Sequence, residues 1–564
     1  MTGKFMTIDN IPIELTGEEK NLLEVIRRTG IELPTFCYYS ELSVYGACRM
    51  CMVENSHGGM EAACSTVPKA GMEIYTNTER LHKHRKMILE LLLANHCRDC
   101  TTCQKNGKCR LQELASLFGL ESIRFKNLKP EPELDTSSLS IIRDAHKCIL
   151  CGDCVRMCNE IQNVGAIDFV NRGSKMVIGP AFNEPIANSP CVGCGQCAAV
   201  CPTGAIVIRK DTGRVWPELN DKNTKVVAQV APAVRVAMAK EFGLPENENS
   251  MGRITAALRR LGFDEVYDTA TGADLTVLEE SNEFLQRIEA GENLPLITSC
   301  CPAWIQYCEK NHPELMKNIS TCKSPMQMFS SVIKAEYANS SRRVVCVAVM
   351  PCTAKKFECA REEFMHDGVP ETDYVITTQE LIQMIHKAGI VFDELEPEAV
   401  DSVFSTCTGA GVIFGVTGGV TEAVLRRLST DKSKKALLSI AFNDVRGMKG
   451  VKETTIPYGD KEVRIAIVSG LKNAESVIQA LKNGEHFDFI EVMACPGGCV
   501  AGGGQPFGTN ATKEVRGKAL YSADKMLSIK RSEENPLMLS LYDGVLKGRV
   551  HELLHVHYNH KEEE

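Results

Sequence analysis

The stretch PLITSCCPAW, at residues 295–304, runs from a short apolar segment directly into two adjacent cysteines. Two later apolar stretches each end in one cysteine, VVCVAVMPC at residues 344–352 and FDFIEVMAC at residues 487–495. Apolar runs that alternate with helical stretches are typical of a mostly parallel sheet, and ligands bind such sheets beyond the carboxyl ends of the strands. Three strands that deliver cysteines to one edge therefore predict a shared metal site. These three predicted strands are Leu294–Ile297, Val344–Val349 and Phe487–Val492. A fourth predicted strand, Lys225–Val230, ends at Ala231 and Pro232 instead.

The composition of the chain limits the classes of function that it can have. Its 564 residues carry 64 Lys and Arg against 72 Asp and Glu, and the resulting charge of −8 argues against a nucleic-acid partner. No apolar run approaches the ~18 residues that a membrane helix needs, and residues 1–10 have no apolar core of a signal peptide. We therefore expect a cytoplasmic protein with no membrane or nucleic-acid partner.

The abnormal feature of the composition is its 26 cysteines, of which sixteen lie between Cys37 and Cys201 and ten between Cys300 and Cys499. A reducing cytosol does not favour disulfides, so clustered cysteines there are expected to bind metal or to do redox chemistry. This distribution predicts a cofactor-dense front third followed by a larger domain. The cysteines without an assigned role, expected to be small buried hydrophobes, are Cys97, Cys308, Cys322, Cys346, Cys359 and Cys407.

Two runs with the spacing C-x2-C-x2-C-x3-C lie between residues 148 and 201. This spacing is typical of bacterial ferredoxins with two 4Fe–4S clusters, in which the fourth cysteine of each run binds the other cluster. Zinc sites and unliganded thiols are the alternatives, and the repetition of one register argues against both. The predicted ligands are Cys148, Cys151, Cys154 and Cys201 for one cluster, and Cys191, Cys194, Cys197 and Cys158 for the other.

Nearer the start, four cysteines have the spacing C-x10-C-x2-C-x12-C. Plant-type 2Fe–2S sites use C-x4-C-x2-C…C, so the first loop is longer here. Predicted strands at Phe5–Ile8 and Ile11–Leu15 and a predicted helix at Gly17–Thr29 suit a β-grasp ferredoxin domain, while zinc is the alternative ligand. The four cysteines are Cys37, Cys48, Cys51 and Cys64.

A third arrangement in the front third has the spacing H-x3-C-x2-C-x5-C. Cys97 could replace the histidine and make an all-thiolate site, and the spacing alone does not choose between them. The residues of this arrangement are His96, Cys100, Cys103 and Cys109.

Three longer motifs carry a specific resemblance to a known family. They are TSCCPAW at 298–304, MPCTAKKFE at 350–358, and EVMACPGGC at 491–499 with GGGQP at 502–506. In this order they resemble the three signatures of the FeFe hydrogenases, and the front third is similar to that of the long clostridial-type enzymes with four accessory clusters. The resemblance spans nearly the whole chain, and it favours His96 as the fourth ligand of its site.

The resemblance implies an H-cluster, in which a 4Fe–4S cluster is bridged by Cys499 to a two-iron unit with CO, CN and an azadithiolate. Maturation proteins would insert this unit, and Lys355 would pair with a cyanide because a fixed cation stabilises an anionic ligand in a dry site. Met326 stands where the family pattern leads us to expect Gln. The implied cluster ligands are Cys301, Cys352, Cys495 and Cys499, and the implied surroundings of the two-iron unit are Ala231, Pro232, Ser324, Met350, Phe414, Met493 and Gln505.

The same resemblance implies a proton path. Cys300 would pass protons to the amine of the dithiolate, since a thiol can do so within hydrogen-bond reach. The three charged members of the path, Glu280, Glu283 and Arg287, share one face of a predicted helix. Without the motifs, this spacing would indicate only a solvent-exposed face with salt bridges. The path would continue from Cys300 through Glu280, Ser320, Glu283 and Arg287.

We therefore predict an α/β and α+β multidomain protein that ends in a large α/β domain with parallel sheets. The polar segment Asp211–Thr224 is interpreted as the connector before that domain. The predicted domains are a β-grasp 2Fe–2S domain at 1–80, a 4Fe–4S domain with one histidine and three cysteine ligands at 81–126, a two-cluster ferredoxin domain at 127–212, the H-cluster domain at 213–515 and a small-subunit-like segment at 516–564.

The predicted function is reversible reduction of protons to H2, with electrons from ferredoxin or a similar carrier passing through three accessory 4Fe–4S clusters and one 2Fe–2S cluster. One alternative is the catalytic subunit of an NAD(P)-coupled or electron-bifurcating complex with a flavoprotein NAD(P) subunit. Others are a sensory hydrogenase and an electron-transfer subunit without hydrogenase activity, since the front third also resembles the cluster-bearing subunit of respiratory NADH dehydrogenases.

Two further motifs receive little weight. The sequence HELLH at 551–555 matches the zincin pattern, but no separate catalytic domain surrounds it. The glycines at 409–415 are spaced one residue too widely for a G-x-G-x-x-G nucleotide loop.

Overall fold

The computed structural model describes residues 4–129, 133–429, 445–458 and 461–558. The chain divides into two compact units. The first comprises Met1–Glu160, Gly165–Ser189 and Val200–Val207, and the second comprises Ile161–Val164, Pro190–Ala199 and Ile208–Glu564.

The first unit begins with a five-stranded sheet that packs on one short helix, as expected of a β-grasp domain. The predicted hairpin is present as Lys4–Ile8 and Ile11–Leu15. The helix is Leu22–Arg28, shorter than predicted, because the Asn21 side chain accepts a hydrogen bond from the Glu24 amide and caps it there. The order of strands across the sheet is Ile11–Leu15, Lys4–Ile8, Glu73–Tyr75, Met52–Asn55 and Met60–Ala62.

After this sheet the front third consists of two longer helices and short pieces, because cysteine-bearing loops interrupt regular structure. The helices Glu79–Ala94 and Arg110–Leu117 pack on each other. The remaining elements, in chain order, are Cys100–Thr102, Ile141–Arg143, Ala145–Lys147, Asp153–Arg156, Met157–Ile161, Asp168–Val170, Gly173–Lys175, Val177–Gly179, Ala181–Asn183, Ile186–Asn188, Gln196–Ala199 and Ile206–Ile208.

The second unit is built on two sheets, each largely parallel. The first has the order Glu265–Asp268, Thr224–Val230, Arg343–Met350 and Tyr374–Thr377 and is parallel throughout. The second has the order Leu296–Ile297, Phe489–Met493, Lys461–Ser469 and Val451–Tyr458, and only its last pair is antiparallel. The prediction of parallel sheets is confirmed.

The four predicted strands are all present, but the expectation that the three strands before cysteines share one sheet edge is wrong. Lys225–Val230 and Val344–Val349 fall in the first sheet, and Leu294–Ile297 and Phe487–Val492 fall in the second. The chain first passes from one sheet to the other through the helix Ala270–Ala290. This helix is buried along most of its first half and packs on the helices Pro325–Glu336, Gly409–Val412 and Gly419–Leu428. The first half of this helix is buried on all sides. Each of the two sheets has its own aliphatic core.

The expected connector before the second unit is partly helical, spanning Thr212–Asn220 with Pro217 inside it. The other α-helices of the second unit are Met251–Leu261, Pro302–Asn311, Lys355–Glu358, Thr378–Lys387, Leu471–Lys482, Asn510–Met526, Pro536–Asp543 and Val550–Leu554. Short 3-10 turns and one small hairpin complete it: Ala239–Phe242, Pro313–Asn318, Glu362–Phe364, Met365–His366, Val369–Pro370, Phe392–Glu394, Ser402–Phe404, Ile413–Gly415, Cys499–Ala501 and Ser532–Glu534. In the described part of the chain, no helix combines the length and apolarity that crossing a bilayer requires.

Candidate active site

One cavity in the second unit lies at the carboxyl ends of strands from both sheets. The space between its walls, including the part open to solvent, is about 790 Å³, and its lining is almost entirely apolar. Four of the predicted ligands line it: Cys301, Cys352, Cys495 and Cys499. The four come from three separate loops, so the fold brings distant parts of the sequence to one place.

Local structure fixes each cysteine at the cavity wall. Cys301 is the N-cap of the helix Pro302–Asn311, whose first position is a proline with the φ angle that a helix start needs. The Cys301 Sγ accepts a hydrogen bond from the Ala494 amide, 3.4 Å away, which joins the first and third motif loops. Cys352 and Cys495 each follow a buried strand by two residues.

Glycines let the third motif loop turn back toward the cavity. Gly498 has φ +90°, and a Cβ there would lie 2.6 Å from the Thr417 amide nitrogen. Gly503 would bring a Cβ to 2.4 Å from the Cys194 carbonyl oxygen. Only glycine tolerates both the backbone angle and the close approach, and the turn is what places Cys495 and Cys499 in the same cavity.

The thiols of this cavity suit an iron–sulfur cluster. Burial raises the pKa of Cys495 well above its usual range, and the charges of Cys352, Cys301 and Cys499 raise it further. Four buried thiolates in mutual repulsion need a cationic centre to be stable, and thiolates are the ligands that iron–sulfur clusters use. The donor set therefore fits the 4Fe–4S part of an H-cluster.

Of the other side chains expected around the two-iron unit, five line the cavity and two do not. Ser324 instead caps the helix Pro325–Glu336, and Gln505 donates from Nε2 to the Ala233 carbonyl at 2.8 Å. The Gln505 Oε1 is buried and has no hydrogen-bond partner among the described residues. The five that line the cavity are Ala231, Pro232, Met350, Phe414 and Met493.

Lys355 supplies the one cationic side chain of this wall among the residues found to line it. Its Nζ lies 2.7 Å from Glu358 Oε2 and 3.2 Å from the Cys300 carbonyl oxygen. Burial alone would lower the pKa of Lys355, but the Glu358 carboxylate outweighs it and the pKa is raised. Lys355 is therefore a fixed positive charge at the cavity.

The predicted proton path is continuous at its outer end. The Ser320 hydroxyl donates to Glu283 Oε2 at 2.8 Å, and Arg287 donates to Glu283 Oε1 at 2.5 Å. Glu280, Glu283 and Arg287 lie on one helix, Ala270–Ala290, as the spacing predicts. Glu283 and Arg287 have side chains that are each 11% exposed, so this end reaches the surface.

The inner end of the path is less closely joined. Cys300 lines the cavity, and Glu280 is fully buried with both carboxyl oxygens lacking a hydrogen-bond partner among the described residues. Burial raises the pKa of Glu280 to about 8, and the charges of Glu283 and Glu491 add to the effect. An unpartnered buried carboxyl is costly unless it is neutral, so Glu280 holds a proton near neutral pH.

A second cavity, in the first unit, contains one complete predicted ligand set. Cys148, Cys151, Cys154 and Cys201 all line it, and it encloses about 410 Å³. Burial raises the pKa of Cys151 well above its usual range, and the charges of Cys201 and Cys148 add to this. This donor set fits a 4Fe–4S cluster.

The ligands predicted for the other ferredoxin-type cluster are divided between the two units. Cys158 belongs to the first unit, and Cys191, Cys194 and Cys197 belong to the second.

The four cysteines of the β-grasp domain also come together. The Cys51 thiol contacts Cys64 and, with the Cys37 and Cys48 charges, raises the Cys64 pKa. The Cys48 amide donates to the Cys37 Sγ at 3.4 Å. Four neighbouring thiols, three before the strand Met52–Asn55 and one after the strand Met60–Ala62, fit a 2Fe–2S cluster.

The third arrangement brings its three cysteines into range of one another, since Cys103 and Cys100 raise the pKa of Cys109 in addition to burial. His96 is buried, and its Nε2 has no hydrogen-bond partner among the described residues. Burial lowers the pKa of His96 to about 4, so the ring is neutral. A neutral ring with a free buried nitrogen fits a metal ligand.

Comparisons with known proteins agree with this geometry. Residues 224–503 match the family model described as the C-terminal domain of the iron-only hydrogenase large subunit, and residues 510–561 match the iron hydrogenase small subunit. The chain is 41% identical to the NADP-reducing hydrogenase subunit HndD of Solidesulfovibrio fructosivorans, across 96% of both chains. It is 35% identical to iron hydrogenase 1 of Clostridium pasteurianum, across 96% of this chain and 98% of that one.

This chain belongs to the FeFe hydrogenase family. In structure it is similar to a variant of the FeFe hydrogenase HydA1 from Chlamydomonas reinhardtii, with a TM-score of 0.54 and 36% identity over 62% of this chain and 98% of that one. The front third matches three further family models: a 2Fe–2S cluster-binding domain at 6–79, an iron–sulfur region of NADH-ubiquinone oxidoreductase G at 85–124 and a 4Fe–4S dicluster domain at 147–209.

Sequence reasoning missed one contact of this FeFe hydrogenase that bears on its site. Gln196, between two predicted cluster ligands, donates from Nε2 to the Cys495 Sγ at 3.1 Å and to the Ala501 carbonyl at 2.9 Å. Thr353 donates to the Gly193 carbonyl at 2.7 Å in the same region. The loop of Cys191, Cys194 and Cys197 thus packs on the loops that carry Cys352 and Cys495, and no sequence signal marks Gln196.

The cavity also has walls that the motifs did not include. Thr269, Ala273, Pro325 and Met326 line it. Met326 is 1% exposed, on the helix Pro325–Glu336. Because it stands where the family pattern suggests Gln, this wall is more apolar than that pattern implies.

Proposed function

We propose that this chain interconverts protons, electrons and H2 at an H-cluster held by Cys301, Cys352, Cys495 and Cys499. The observation that carries the proposal is the meeting of these four thiols in one largely apolar cavity with Lys355 at its wall. When bound, the H-cluster supplies the low-valent iron at which protons and electrons combine. The residues of the chain hold it, exclude water and move protons.

The cavity residues divide this work. Met350, Phe414 and Met493 present apolar side chains that keep the site dry, which strengthens every electrostatic interaction inside it. Lys355, fixed by Glu358, places a positive charge where a cyanide would be stabilised. We assign Gln505 to an outer layer of the site, where its Nε2 holds the Ala233 carbonyl and its buried Oε1 has no partner among the described residues.

Protons would reach the cavity through Cys300, Glu280, Ser320, Glu283 and Arg287. Glu280 is suited to relay because a carboxyl with a pKa of about 8 can both hold and release a proton near neutral pH. Ser320, Glu283 and Arg287 form a hydrogen-bonded chain at the surface end. Reorientation of the unpartnered Glu280 carboxyl would join that chain to Cys300.

Electrons would arrive through three accessory 4Fe–4S clusters and one 2Fe–2S cluster. These clusters would be held by the sixteen predicted ligands that lie outside the H-cluster site. We assign these clusters to the segments 1–80, 81–126 and 127–212, ahead of the catalytic segment 213–515 and the segment 516–564. Ferredoxin, or a similar small carrier, is the proposed donor and acceptor.

A second proposal for the electron partner is a flavoprotein that uses NAD(P). It is favoured by the 41% identity to a chain named as an NADP-reducing hydrogenase subunit. The glycines at 409–415 do not provide a nucleotide site in this chain, since a Cβ on Gly411 would lie 2.3 Å from the Ala270 carbonyl oxygen and these glycines serve helix packing. In this second proposal the NAD(P) site lies on the separate flavoprotein subunit.

The test is to express the chain with the maturation proteins and to record infrared spectra together with H2 production from reduced methyl viologen. We expect CO and CN stretching bands and H2, and we expect both to be lost in Cys499→Ala and kept in Cys308→Ala, a buried thiol outside the cavity. A matured sample without those bands or without turnover would refute the proposal. Comparing reduced ferredoxin with NADPH plus co-purified flavoprotein as donors decides between the two electron partners.

A further inference from the structure

Three potential metal ligands meet beside the proposed proton path without belonging to any cluster site. A carboxylate oxygen of Glu283, the Sγ of Cys322 and a ring nitrogen of His555 all lie within 4.8 Å of one another. Glu283 is on the helix Ala270–Ala290, Cys322 precedes the helix Pro325–Glu336, and His555 directly follows the helix Val550–Leu554. Three separate segments therefore supply the group.

Backbone pairing holds this group in place. Cys322 and His555 face each other in an isolated antiparallel bridge. On either side of it, the Lys323 amide donates to the Leu554 carbonyl at 2.8 Å and the Val556 amide to the Thr321 carbonyl at 2.7 Å. The thiol and the imidazole are thus positioned by hydrogen bonds of the main chain rather than by flexible loops.

Each of the three side chains has an atom suited to a metal. Arg287 donates to Glu283 Oε1, and the Thr321 amide donates to both carboxylate oxygens, at 3.1 Å to Oε1 and 3.0 Å to Oε2. Oε2 also accepts from the Ser320 hydroxyl and lies 3.8 Å from the Cys322 Sγ. His555 Nε2 lies 3.1 Å from Glu279 Oε2, and its Nδ1 lies 2.9 Å from the Thr321 hydroxyl. With Nε2–H donating to Glu279, Nδ1 accepts from the Thr321 hydroxyl, and an ion bound at Nδ1 would displace that hydrogen bond.

This last arrangement is the carboxylate–histidine–metal pattern, in which a carboxylate orients a histidine that binds the ion. Tyr542 in turn donates to Glu279 and fixes it. A sulfur, an imidazole nitrogen and a carboxylate oxygen are the ligands that Zn²⁺ takes in proteins, with water in the fourth position. The side chains of Glu283 and His555 are 11% and 9% exposed, so an ion can enter from solvent.

We propose that Glu283, Cys322 and His555 form a site for Zn²⁺ or a similar soft divalent ion, and that its occupation blocks proton transfer. Binding would displace the Cys322 thiol proton to solvent. The ion would hold the Oε2 of Glu283 that otherwise accepts from Ser320, so this carboxylate could no longer take a proton. The blocking effect rests on the proton path proposed above, whereas the binding does not.

Binding is tested on the iron-loaded enzyme by equilibrium dialysis against ZnCl2 and by X-ray absorption at the zinc edge. We expect about one zinc ion per chain that carries one sulfur ligand and nitrogen or oxygen ligands. In Cys322→Ala the dissociation constant should rise at least about tenfold, and in Glu279→Gln by about tenfold as for other residues that orient a ligand. A zinc ion without a sulfur ligand, or equal affinity in Cys322→Ala, overturns the proposal.

The matched control is His551, which lies on the helix Val550–Leu554. Its ring centroid is 4.6 Å from that of His555. A surface His-x3-His pair could bind zinc on its own. Under our proposal His551→Gln leaves the affinity within about twofold, while His555→Gln weakens it as much as Cys322→Ala does. If His551→Gln is the variant that loses zinc, the three-residue site is refuted.

Blocking is tested by H2 production from reduced methyl viologen over a series of zinc concentrations. Each variant is compared with its own rate without zinc. We expect inhibition that EDTA reverses and that requires at least about tenfold more zinc in Cys322→Ala than in the unaltered enzyme. If zinc binds with a sulfur ligand but turnover is unchanged, the blocking effect and the role of Glu283 in the proton path are both wrong, while the site stands.

Discussion

Gln196 Nε2 lies 3.1 Å from the Sγ of Cys495, although the two residues are 299 positions apart in the chain. Gln196 sits between the proposed cluster ligands Cys194 and Cys197, and Cys495 is a proposed ligand of the H-cluster. The same amide group donates to the Ala501 carbonyl. One buried side chain therefore connects the loop of an accessory cluster with the loop of the catalytic one.

We expect Gln196→Leu to make the reduction potential of the 4Fe–4S part of the H-cluster more negative. Hydrogen bonds to cluster sulfurs stabilise the reduced, more negative state, and leucine keeps the volume while removing the donor. Infrared spectra recorded at controlled potentials measure the shift. Gln479→Leu is the control, because Gln479 contacts only Glu475 at the surface among the hydrogen bonds found for its side chain. An unchanged potential in Gln196→Leu would show that this bond does not tune the cluster.

Cys300→Ala is expected to lower H2 turnover by about 100-fold or more, the usual contribution of a positioned proton donor. Iron content and the CO and CN bands should stay at normal levels, since Cys300 is not one of the four proposed ligands. Cys308→Ala serves as the matched control, because its thiol is buried but lies outside the cavity lining. Normal turnover in Cys300→Ala would remove this thiol from the proton path.

The grouping of the cysteines and the presence of the strands could be predicted from the sequence because both depend on local spacing. Cys148, Cys151 and Cys154 lie within seven positions of one another, and Cys201 joins their cavity as the repeated register implies. The strand ends before Cys301, Cys352 and Cys495 follow from short apolar runs. Family resemblance then supplied roles that spacing could not.

What could not be predicted depends on contacts between distant residues. Short apolar runs look alike in any sheet, so nothing local shows that Leu296–Ile297 and Thr224–Val230 belong to different sheets. The polar segment Asp211–Thr224 predicts a connector, yet Thr212–Asn220 is helical with Pro217 inside it. Cys322 was assigned only to packing, because its proximity to Glu283 and His555 exists only in the folded chain.

Glu280 should make the stability of the protein depend on pH. Its pKa is about 8 in the folded protein against 4.5 for the unperturbed group. The folded state therefore binds the proton more tightly than the unfolded chain, and stability from this group is present below about pH 4.5 and lost as the pH rises through about 8. We expect Glu280→Gln to remove that loss. As the pH rises from about 4.5 to about 8, the thermal midpoint of the variant should therefore increase relative to that of the unaltered protein.

The measurement is thermal unfolding followed by circular dichroism at a series of pH values, with Glu289→Gln as the control for an exposed carboxylate on the same helix. Parallel midpoint curves for Glu280→Gln and the unaltered protein would show that Glu280 is not held neutral by burial. H2 turnover should fall in Glu280→Gln at every pH, because an amide cannot relay a proton.

Asp274 ties the last part of the chain to the central helix. It accepts from Thr408, from Ser532 at 2.8 Å and from Asn535 at 3.1 Å. Asp274→Ala would leave these buried donors unsatisfied, at a cost of about 1–3 kcal/mol for each donor that finds no new partner. We expect the variant to unfold at a lower temperature and the segment after Ser532 to become sensitive to limited proteolysis, whereas Asp543→Ala, at a helix end, should change neither.

The choice between His96 and Cys97 as a cluster ligand is open to a direct test. His96 has a buried Nε2 without a partner among the described residues, while the Cys97 Sγ lies 4.0 Å from the other ring nitrogen. We expect His96→Ala to lose one cluster, seen as lower iron content and a missing electron paramagnetic resonance signal, and Cys97→Ala to keep it. His96→Cys should keep the cluster but lower its potential, because a thiolate adds a negative charge that a neutral imidazole lacks. Loss of the signal in Cys97→Ala, with His96→Ala unaffected, would make the site all-thiolate.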